Sequence, residues 1–290
     1  MATLRDIKNR IKGVQNTQQI TKAMKMVAAA KLRRAQDKVI NARPYARKIS
    51  DLFNHLVTDE DLNNPFLSER DVRNIALVVV TADRGLCGAF NTNIIKEATG
   101  FFENNSQAAK VHFFCIGKKG FDYFNKRDYD VVDKRTGLFS TLEYSSALDI
   151  TNELIKMYLD STFDKIIVIY NEFKSIIQQK IVTEQFLPIP VNKETKDDKK
   201  NEPYYIFEPD QKSIFEYLLP KHLKAQMWRI LLESNAAEFG ARMTAMDNAT
   251  TNAKELIRTL QLKYNKERQA AITKEILEIV GGAEALAQGS

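Results

Sequence analysis

The sequence predicts a mixed α/β protein whose compact α/β domain is inserted between two long terminal helices. Apolar residues recur every three or four positions through residues 1–56 and again through residues 209–287, while the segment between them alternates short apolar runs with helix-like stretches. The first pattern is typical of a coiled coil, and the second of a parallel sheet with crossover helices. We therefore expect the terminal helices to pair as a long antiparallel coiled coil, with a linker at 57–73 and the α/β domain at 74–208.

The N-terminal helix carries a heptad stripe from Leu4 to Leu56, in which thirteen of sixteen seam positions are apolar. A stripe of that length needs a partner along most of the helix. The three polar seam residues are Gln18, Thr21 and Lys25, and a second apolar stripe beside them is formed by Ile20, Met24 and Val27. Because the two stripes differ in phase, we expect the apolar face to turn around the helix axis in this region.

The C-terminal helix is predicted to begin after Asp210, whose carboxylate can cap the first turn. From Ile214 to Leu260, eleven of fourteen seam positions are apolar. Beyond residue 264 the stripe changes phase and continues through Ile272, Ile276, Ile279, Ala283 and Leu286. This last part extends past the predicted pairing with the first helix, so its apolar residues need a socket in another protein.

The middle of the chain predicts a Rossmann-like βαβ domain. Three short apolar runs predict strands that are buried on both faces, namely Ile75–Val80, Val111–Ile116 and Lys165–Tyr170. Weaker strand patterns cover residues 129–132 and 175–188, and a helical pattern covers Leu142–Leu159. Strands that alternate with helices at this spacing build a sheet with helices on its faces.

The charge of the chain is concentrated at its N-terminus. The formal net charge is +6, yet residues 1–48 alone hold thirteen Lys or Arg against two acidic residues. Such an excess indicates an acidic partner, which the residues alone leave open as nucleic acid, an anionic surface or an acidic protein face. No apolar run is long enough to span a membrane, and the N-terminus has no signal or transit pattern.

The residues predict no catalytic, cofactor or metal site. Gly85-Leu86-Cys87-Gly88 follows the first strand, where phosphate sites are often built, but it matches neither a dinucleotide fingerprint nor a P-loop. We expect its glycines to serve a tight turn, and Cys87 and Cys115 to be reduced and buried. Two alternatives remain on these grounds: an α/β enzyme that binds a phosphorylated ligand, and a basic coiled coil that binds nucleic acid.

Four segments resemble the γ subunit family of F-type ATP synthases: Ile20-Thr21-Lys22-Ala23-Met24-Lys25-Met26-Val27-Ala28-Ala29, Asp83-Arg84-Gly85-Leu86-Cys87-Gly88-Ala89-Phe90-Asn91, Ala241-Arg242-Met243-Thr244-Ala245-Met246, and Tyr264-Asn265-Lys266-Glu267-Arg268-Gln269-Ala270-Ala271-Ile272-Thr273-Lys274-Glu275-Ile276. They occur in the order of that family and span nearly the whole chain. The resemblance implies a central rotor shaft without catalytic residues or cofactors, which couples ion-driven rotation of the c-subunit ring to conformational cycling of the catalytic β subunits. The implied partners are three α and three β subunits, the ε subunit and the c ring, on the cytoplasmic face of the bacterial inner membrane.

The resemblance also implies which residues meet these partners. Contact with the α and β subunits is expected at Lys22, Lys25, Met26, Arg33, Arg34, Arg268, Gln269, Thr273, Glu275, Ile276, Ile279 and Leu286. Contact with the c ring and ε is expected at Tyr205, Phe207 and Glu208.

Overall fold

The structure is a computed structural model, and it describes residues 3–57, 64–176, 178–190, 208 and 210–288, with side chains up to residue 282 in the last helix. The chain forms two compact units. The first, unit 1, consists of Met1–Val27 and Ala245–Ser290, and the second, unit 2, consists of Ala28–Thr244. Two helices contribute to both units: α1 covers Leu4–Leu56 and α5 covers Gln211–Gln288. Each continues through an internal proline, Pro44 in α1 and Pro220 in α5.

Unit 2 contains a five-stranded sheet with the strand order β3-β2-β1-β4-β5. The strands are β1 (Asn74–Val80), β2 (Lys110–Ile116), β3 (Val131–Arg135), β4 (Lys165–Phe173) and β5 (Gln179–Leu187). The first four are parallel, and β5 runs antiparallel to β4 at the edge. The connecting helices are α2 (Phe90–Asn105), α3 (Lys118–Asn125) and α4 (Tyr144–Leu159). This arrangement confirms the predicted α/β fold class.

The central strand β1 is buried on both faces, as its continuous apolar run predicted. Ala76, Val78 and Val80 belong to a core that also includes α4 and parts of α1 and α5. Ile75, Leu77 and Val79 point to the opposite face, against α2 and α3. Because successive side chains of a strand alternate between faces, one run of six apolar residues fills both cores.

The strand at the other edge, β3, begins two residues later than the sequence pattern predicts. Tyr129 is outside the strand and joins an aromatic cluster instead. Its ring lies edge-on to Phe102, Phe113 and Phe124, with centroid distances of 5.1, 5.2 and 5.3 Å. Edge-to-face packing of this kind stabilises buried rings, so an aromatic residue that we read as a strand position serves the packing of α2 and α3.

Within unit 2, α1 and α5 run antiparallel, as predicted. Lys31 lies over the ring of Phe239, Arg43 pairs with Glu233, and Phe53 stacks on Phe215, so contacts that move forward along α1 move backward along α5. Asp210 caps α5 by accepting a 2.8 Å hydrogen bond from the backbone N–H of Ser213, which confirms the predicted start of this helix.

Unit 1 is an antiparallel helix pair with a partly polar seam. Thr250 Oγ1 donates to Thr21 Oγ1 at 2.8 Å, and Lys25 Nζ lies 2.6 Å from a carboxylate oxygen of Asp247. The predicted turn of the apolar face was wrong, because Thr21 is buried whereas Ile20 and Val27 are 60% and 57% exposed. The polar seam residues find polar partners on α5, and the competing apolar stripe is left on the surface.

Candidate partner-binding surfaces

We use the name basic face for two groups of predicted contact residues on α1, which are Lys22, Lys25 and Met26 in unit 1 and Arg33 and Arg34 in unit 2. Lys22 and Met26 in unit 1 are exposed, and Met26 sits beside the exposed apolar stripe. Lys25 is half-buried and holds Asp247, so part of its charge is neutralised within the chain. Arg33 and Arg34 in unit 2 are exposed, and neither forms an ion pair with any described residue. Cations and apolar side chains together at a surface suit an acidic partner that also carries apolar groups.

The second surface, which we call the C-terminal apolar stretch, is the part of α5 from Ile272 to Val280. Its large apolar side chains are all about half exposed or more, and Ile279 reaches 71%. The predicted contact residues Arg268, Gln269, Thr273, Glu275 and Ile276 are exposed as well. Leu286 lies in the helix, but its side chain is outside the described part. Five exposed aliphatic residues in nine positions indicate a surface that another protein covers.

Within unit 1, the group of Lys22, Lys25 and Met26 is separated from the C-terminal apolar stretch along the helices. Thr21 is opposite Thr250, and Arg268 lies about 27 Å further along α5 than Thr250 at the rise of an α-helix. The predicted α/β-subunit contacts therefore form two distinct groups rather than one site. Of the three predicted c-ring and ε contacts, Tyr205 and Phe207 lie outside the described residues, and Glu208 is exposed.

The glycine loop after β1 is held closed by α5. Leu86 and Gly88 adopt positive φ angles of 63° and 59°, which makes a tight turn of the kind the sequence predicted for this segment. Arg242 of α5 donates hydrogen bonds to the backbone carbonyls of Gly85 and Arg84 and is held by Glu238, 2.6 Å away. Burial raises the pKa of Glu238, and the adjacent guanidinium of Arg242 opposes that shift.

Four backbone N–H groups next to this loop donate to side chains. One carboxylate oxygen of Asp83 accepts from the N–H groups of Lys118 and Gly137, at 3.0 and 2.9 Å. Thr81 Oγ1 accepts from the N–H of Gly120, and Asn91 accepts from the N–H of Ala82, both at 2.8 Å. A phosphate site at the end of a strand relies on such N–H groups being free. The loop is thus built as a structural junction between β1, α3 and α5.

The two cysteines are poor nucleophiles. Both are free and buried, as expected. Burial raises the pKa of Cys115 to about 12, and burial likewise raises the pKa of Cys87. The reactive form of cysteine is the thiolate, which neither residue populates at neutral pH. Among the described residues, no group of three or more His, Cys, Asp or Glu is placed to hold a metal ion, and no helix is long and apolar enough to cross a membrane.

Sequence reasoning missed the polar residues that join α5 to the sheet. Arg242 and Glu238 are one helical turn apart, a spacing that suggests only a local ion pair on the helix surface. The available signal was the polar residue Arg242 at an otherwise apolar seam position. The partners it binds, two loop carbonyls, lie 157 and 158 residues away in the chain.

This chain is similar to known proteins over nearly its whole length. The family described as ATP synthase matches residues 3–286. The ATP synthase gamma chain of Chloroherpeton thalassium is 51% identical to this chain and is matched over 100% of both chains. That of Chlorobium phaeobacteroides is 52% identical, with 99% of each chain covered.

Solved structures show the same fold. A chain of the Euglena gracilis mitochondrial ATP synthase aligns with a TM-score of 0.69 at 20% identity, covering 99% of this chain and 95% of its own. A chain of the central stalk and c-ring structure from Tetrahymena thermophila aligns with a TM-score of 0.63 at 25% identity, covering 79% of this chain and 99% of its own.

Proposed function

The chain belongs to the ATP synthase gamma chain family, and we infer that it is the central rotor shaft of an F-type ATP synthase. In this role it couples ion-driven rotation of a c ring to conformational cycling of the catalytic β subunits. The observation that carries the proposal is the long, partly unpartnered surface of α1 and α5. Its basic face and C-terminal apolar stretch are exposed in the isolated chain. A subunit that works inside a complex has such surfaces, because its partners cover them after assembly.

The helix pair of unit 1 and its exposed side chains suit a rotating subunit. A shaft has to be stiff along its length, and two packed antiparallel helices provide that stiffness. Its outer contacts also have to be made and broken in every turn, so exposed charges and scattered aliphatic residues serve better than deep apolar docking. The asymmetric surface of such a shaft can bias the surrounding subunits toward different conformations.

We assign no catalytic role to this chain. The protonated thiols, the hydrogen bonds that Arg242 donates to the glycine loop and the ion-paired Glu238 all support a structural role for this end of the sheet. Chemistry on ATP then belongs to the β subunits, with the α subunits assisting.

The partner assignments follow from the family. The basic face would meet acidic segments of β, and Arg268 to Glu275 would engage β further along α5. Ile276, Ile279 and Leu286 would sit in an apolar sleeve formed by the α and β subunits, three of each. The segment that contains Tyr205, Phe207 and Glu208 would contact the c ring and ε, which would place the chain peripherally on the cytoplasmic face of the bacterial inner membrane.

Co-expression with the α and β subunits of the same organism tests the proposal. We expect a tag on this chain to recover a complex with one copy of it and three copies each of α and β, and this complex to hydrolyse ATP. Charge reversal by Arg33→Glu with Arg34→Glu should lower turnover, because it opposes the predicted acidic partner.

The control is Lys96→Glu, which reverses an exposed charge on α2, a helix that contributes no residue to either surface. Equal turnover of the control and the double variant would contradict the assignment of the basic face. Removal of residues 276–290 should weaken assembly, although a shortened shaft can still turn. A chain that ignores α and β and binds nucleotide or DNA by itself would refute the rotor assignment as a whole.

A further inference from the structure

An ion pair between a half-buried arginine and a buried carboxylate ties α1 and α5 to the end of the sheet in unit 2. Arg43 of α1 binds Glu233 of α5 through two parallel hydrogen bonds, from Nε to Oε1 at 2.8 Å and from Nη2 to Oε2 at 3.0 Å. The same two side chains bind the backbone at the end of β4. Glu233 Oε2 accepts from the N–H of Phe173, and Arg43 Nη2 donates to its carbonyl, both at 3.2 Å.

This ion pair lies where an apolar contact would serve stability as well. The Glu233 side chain is 3% exposed and the Arg43 side chain 34%, and every residue of α5 from 231 to 238 is buried. Burying the charge of Glu233, and part of that of Arg43, costs solvation free energy that their attraction only partly returns, so apolar replacements of such pairs are often equally stable. What an apolar pair cannot supply is direction, because bidentate charge-assisted hydrogen bonds define one relative orientation of the groups they join.

Further contacts along the same face of α5 join it to β4, β5 and the turn between them. Arg229, one turn before Glu233, donates to Tyr170 of β4 and Glu184 of β5, each at 2.8 Å. Gly240 allows close approach, since a Cβ at this position would lie 3.4 Å from the carbonyl oxygen of Ile176. The spacing from 229 to 233 to 240 keeps these residues on one stripe of the helix.

We propose that Arg43 and Glu233, joined to the backbone of Phe173, are positioning residues that hold the α/β domain and the two helices at one rotational setting, so that torque passes between them. The proposal rests on the rotor function inferred above. Apolar packing between a helix and a sheet is not directional, and it permits small rotations of the helix about its axis. The two hydrogen bonds to the backbone of Phe173, together with the two between Arg43 and Glu233, oppose such rotation at the point where both helices meet one strand.

Two variants distinguish an effect on the orientation of the helices from an effect on the stability of the fold. Arg43→Met combined with Glu233→Leu replaces the ion pair by apolar groups of similar size and leaves no unpaired charge. Arg43→Lys keeps the charge but loses the planar fork that makes two bonds at once. The matched control is Lys174→Met, which removes the ion pair between Lys174 and Glu172 next to the same strand end. That pair is more exposed and lies within one segment, so it fastens no helix.

The measurement is the angular variance of the α/β domain in single complexes with α and β. The α and β subunits are fixed to a surface, and a bead is attached through Glu103→Cys, an exposed position on α2. The native cysteines are buried and do not compete for the label. We treat the contacts of Arg43, Arg229 and Arg242 as three independent restraints of equal stiffness. Because the angular variance is inversely proportional to the total stiffness, losing one of them raises the variance during pauses about 1.5-fold. We expect this rise in the double variant and in Arg43→Lys, and no rise in Lys174→Met.

A double variant that assembles, hydrolyses ATP and shows the variance of the parent would overturn the proposal. If the double variant does not assemble, Arg43→Lys decides, and an unchanged variance in that variant overturns it equally. Failure of the parent chain itself to assemble or rotate is a different result, because it refutes the rotor function on which the proposal rests.

Discussion

The buried histidine of α5 makes the stability of this protein depend on pH. The ring of His222 stacks on Phe53 with a centroid distance of 4.7 Å and an interplanar angle of 14°. It is 7% exposed, and its Nδ1 has no hydrogen-bond partner among the described residues. Burial, with a smaller contribution from the positive charge of Arg229, lowers the pKa of His222 from 6.5 to about 4. The folded chain therefore holds a neutral imidazole at pH 7.

The lowered pKa has a definite sign in the free energy of unfolding. Between pH 6.5 and about 4 the unfolded chain binds the proton and the folded chain does not, so protons favour unfolding in this window. Stability is complete above pH 6.5 and is lost as the pH falls toward the folded pKa. The full difference corresponds to about 3 kcal/mol, and roughly 2 kcal/mol of it is already lost at pH 5.

The variant His222→Phe tests this reasoning, since it keeps a ring on Phe53 and removes the titrating group. Urea unfolding of both chains at pH 7.5 and pH 5 gives four free energies of unfolding. We expect the parent chain to lose about 2 kcal/mol more than the variant between the two pH values. Carboxylates that titrate in the same range are common to both chains and cancel in the comparison. Parallel losses in the two chains would refute the argument.

Three further predictions concern packing and backbone conformation. Phe53→Ala should lower the free energy of unfolding by about 3–5 kcal/mol, measured in urea, because it leaves a cavity in place of a ring that is fully buried. Gly117→Ala should destabilise the chain in thermal unfolding, since φ is 93° there and a Cβ would lie 2.0 Å from a carbonyl oxygen; Gly13→Ala, with nothing within 4 Å, should instead stabilise α1 by about 0.5–1 kcal/mol. Cys87 and Cys115 should react with a thiol reagent at pH 8 only after unfolding, and rapid reaction of the native chain would contradict their burial.

The sequence predicted the elements of this fold more accurately than their polar contacts. The run Ile75–Val80 identified a strand buried on both faces, because an apolar residue at every position has no other stable placement in a sheet. The heptad stripes likewise identified α1 and α5. The start of β3 was predicted two residues too early because Tyr129 packs in an aromatic cluster. Apolarity alone does not distinguish an aromatic residue in a strand from one in such a cluster. The division into domains at residues 57–73, 74–208 and 209–287 stays a prediction.

The exposed surfaces were foreseen in part. The C-terminal apolar stretch followed from the excess length of the second stripe, and its exposed side chains match that expectation. The apolar face was expected to turn around the helix axis near Ile20 and Val27. Instead, Thr21 and Lys25 stay in the seam, where Thr250 and Asp247 are their partners. The choice between two stripes depends on the opposing helix, which the local pattern does not contain.

By itself, the sequence determined the two long helices, the strands between them, the basic N-terminal face and the apolar C-terminal stretch, because periodicity and charge are properties of neighbouring residues. Only the tertiary structure decided how the pieces are joined. Arg43 binds Glu233, 190 residues away, and Phe173, 130 residues away. No residue spacing along the chain predicts these contacts. A buried charge is tolerated only where the fold brings a partner to it, so the contacts that fasten the helices to the sheet exist only once the chain has folded.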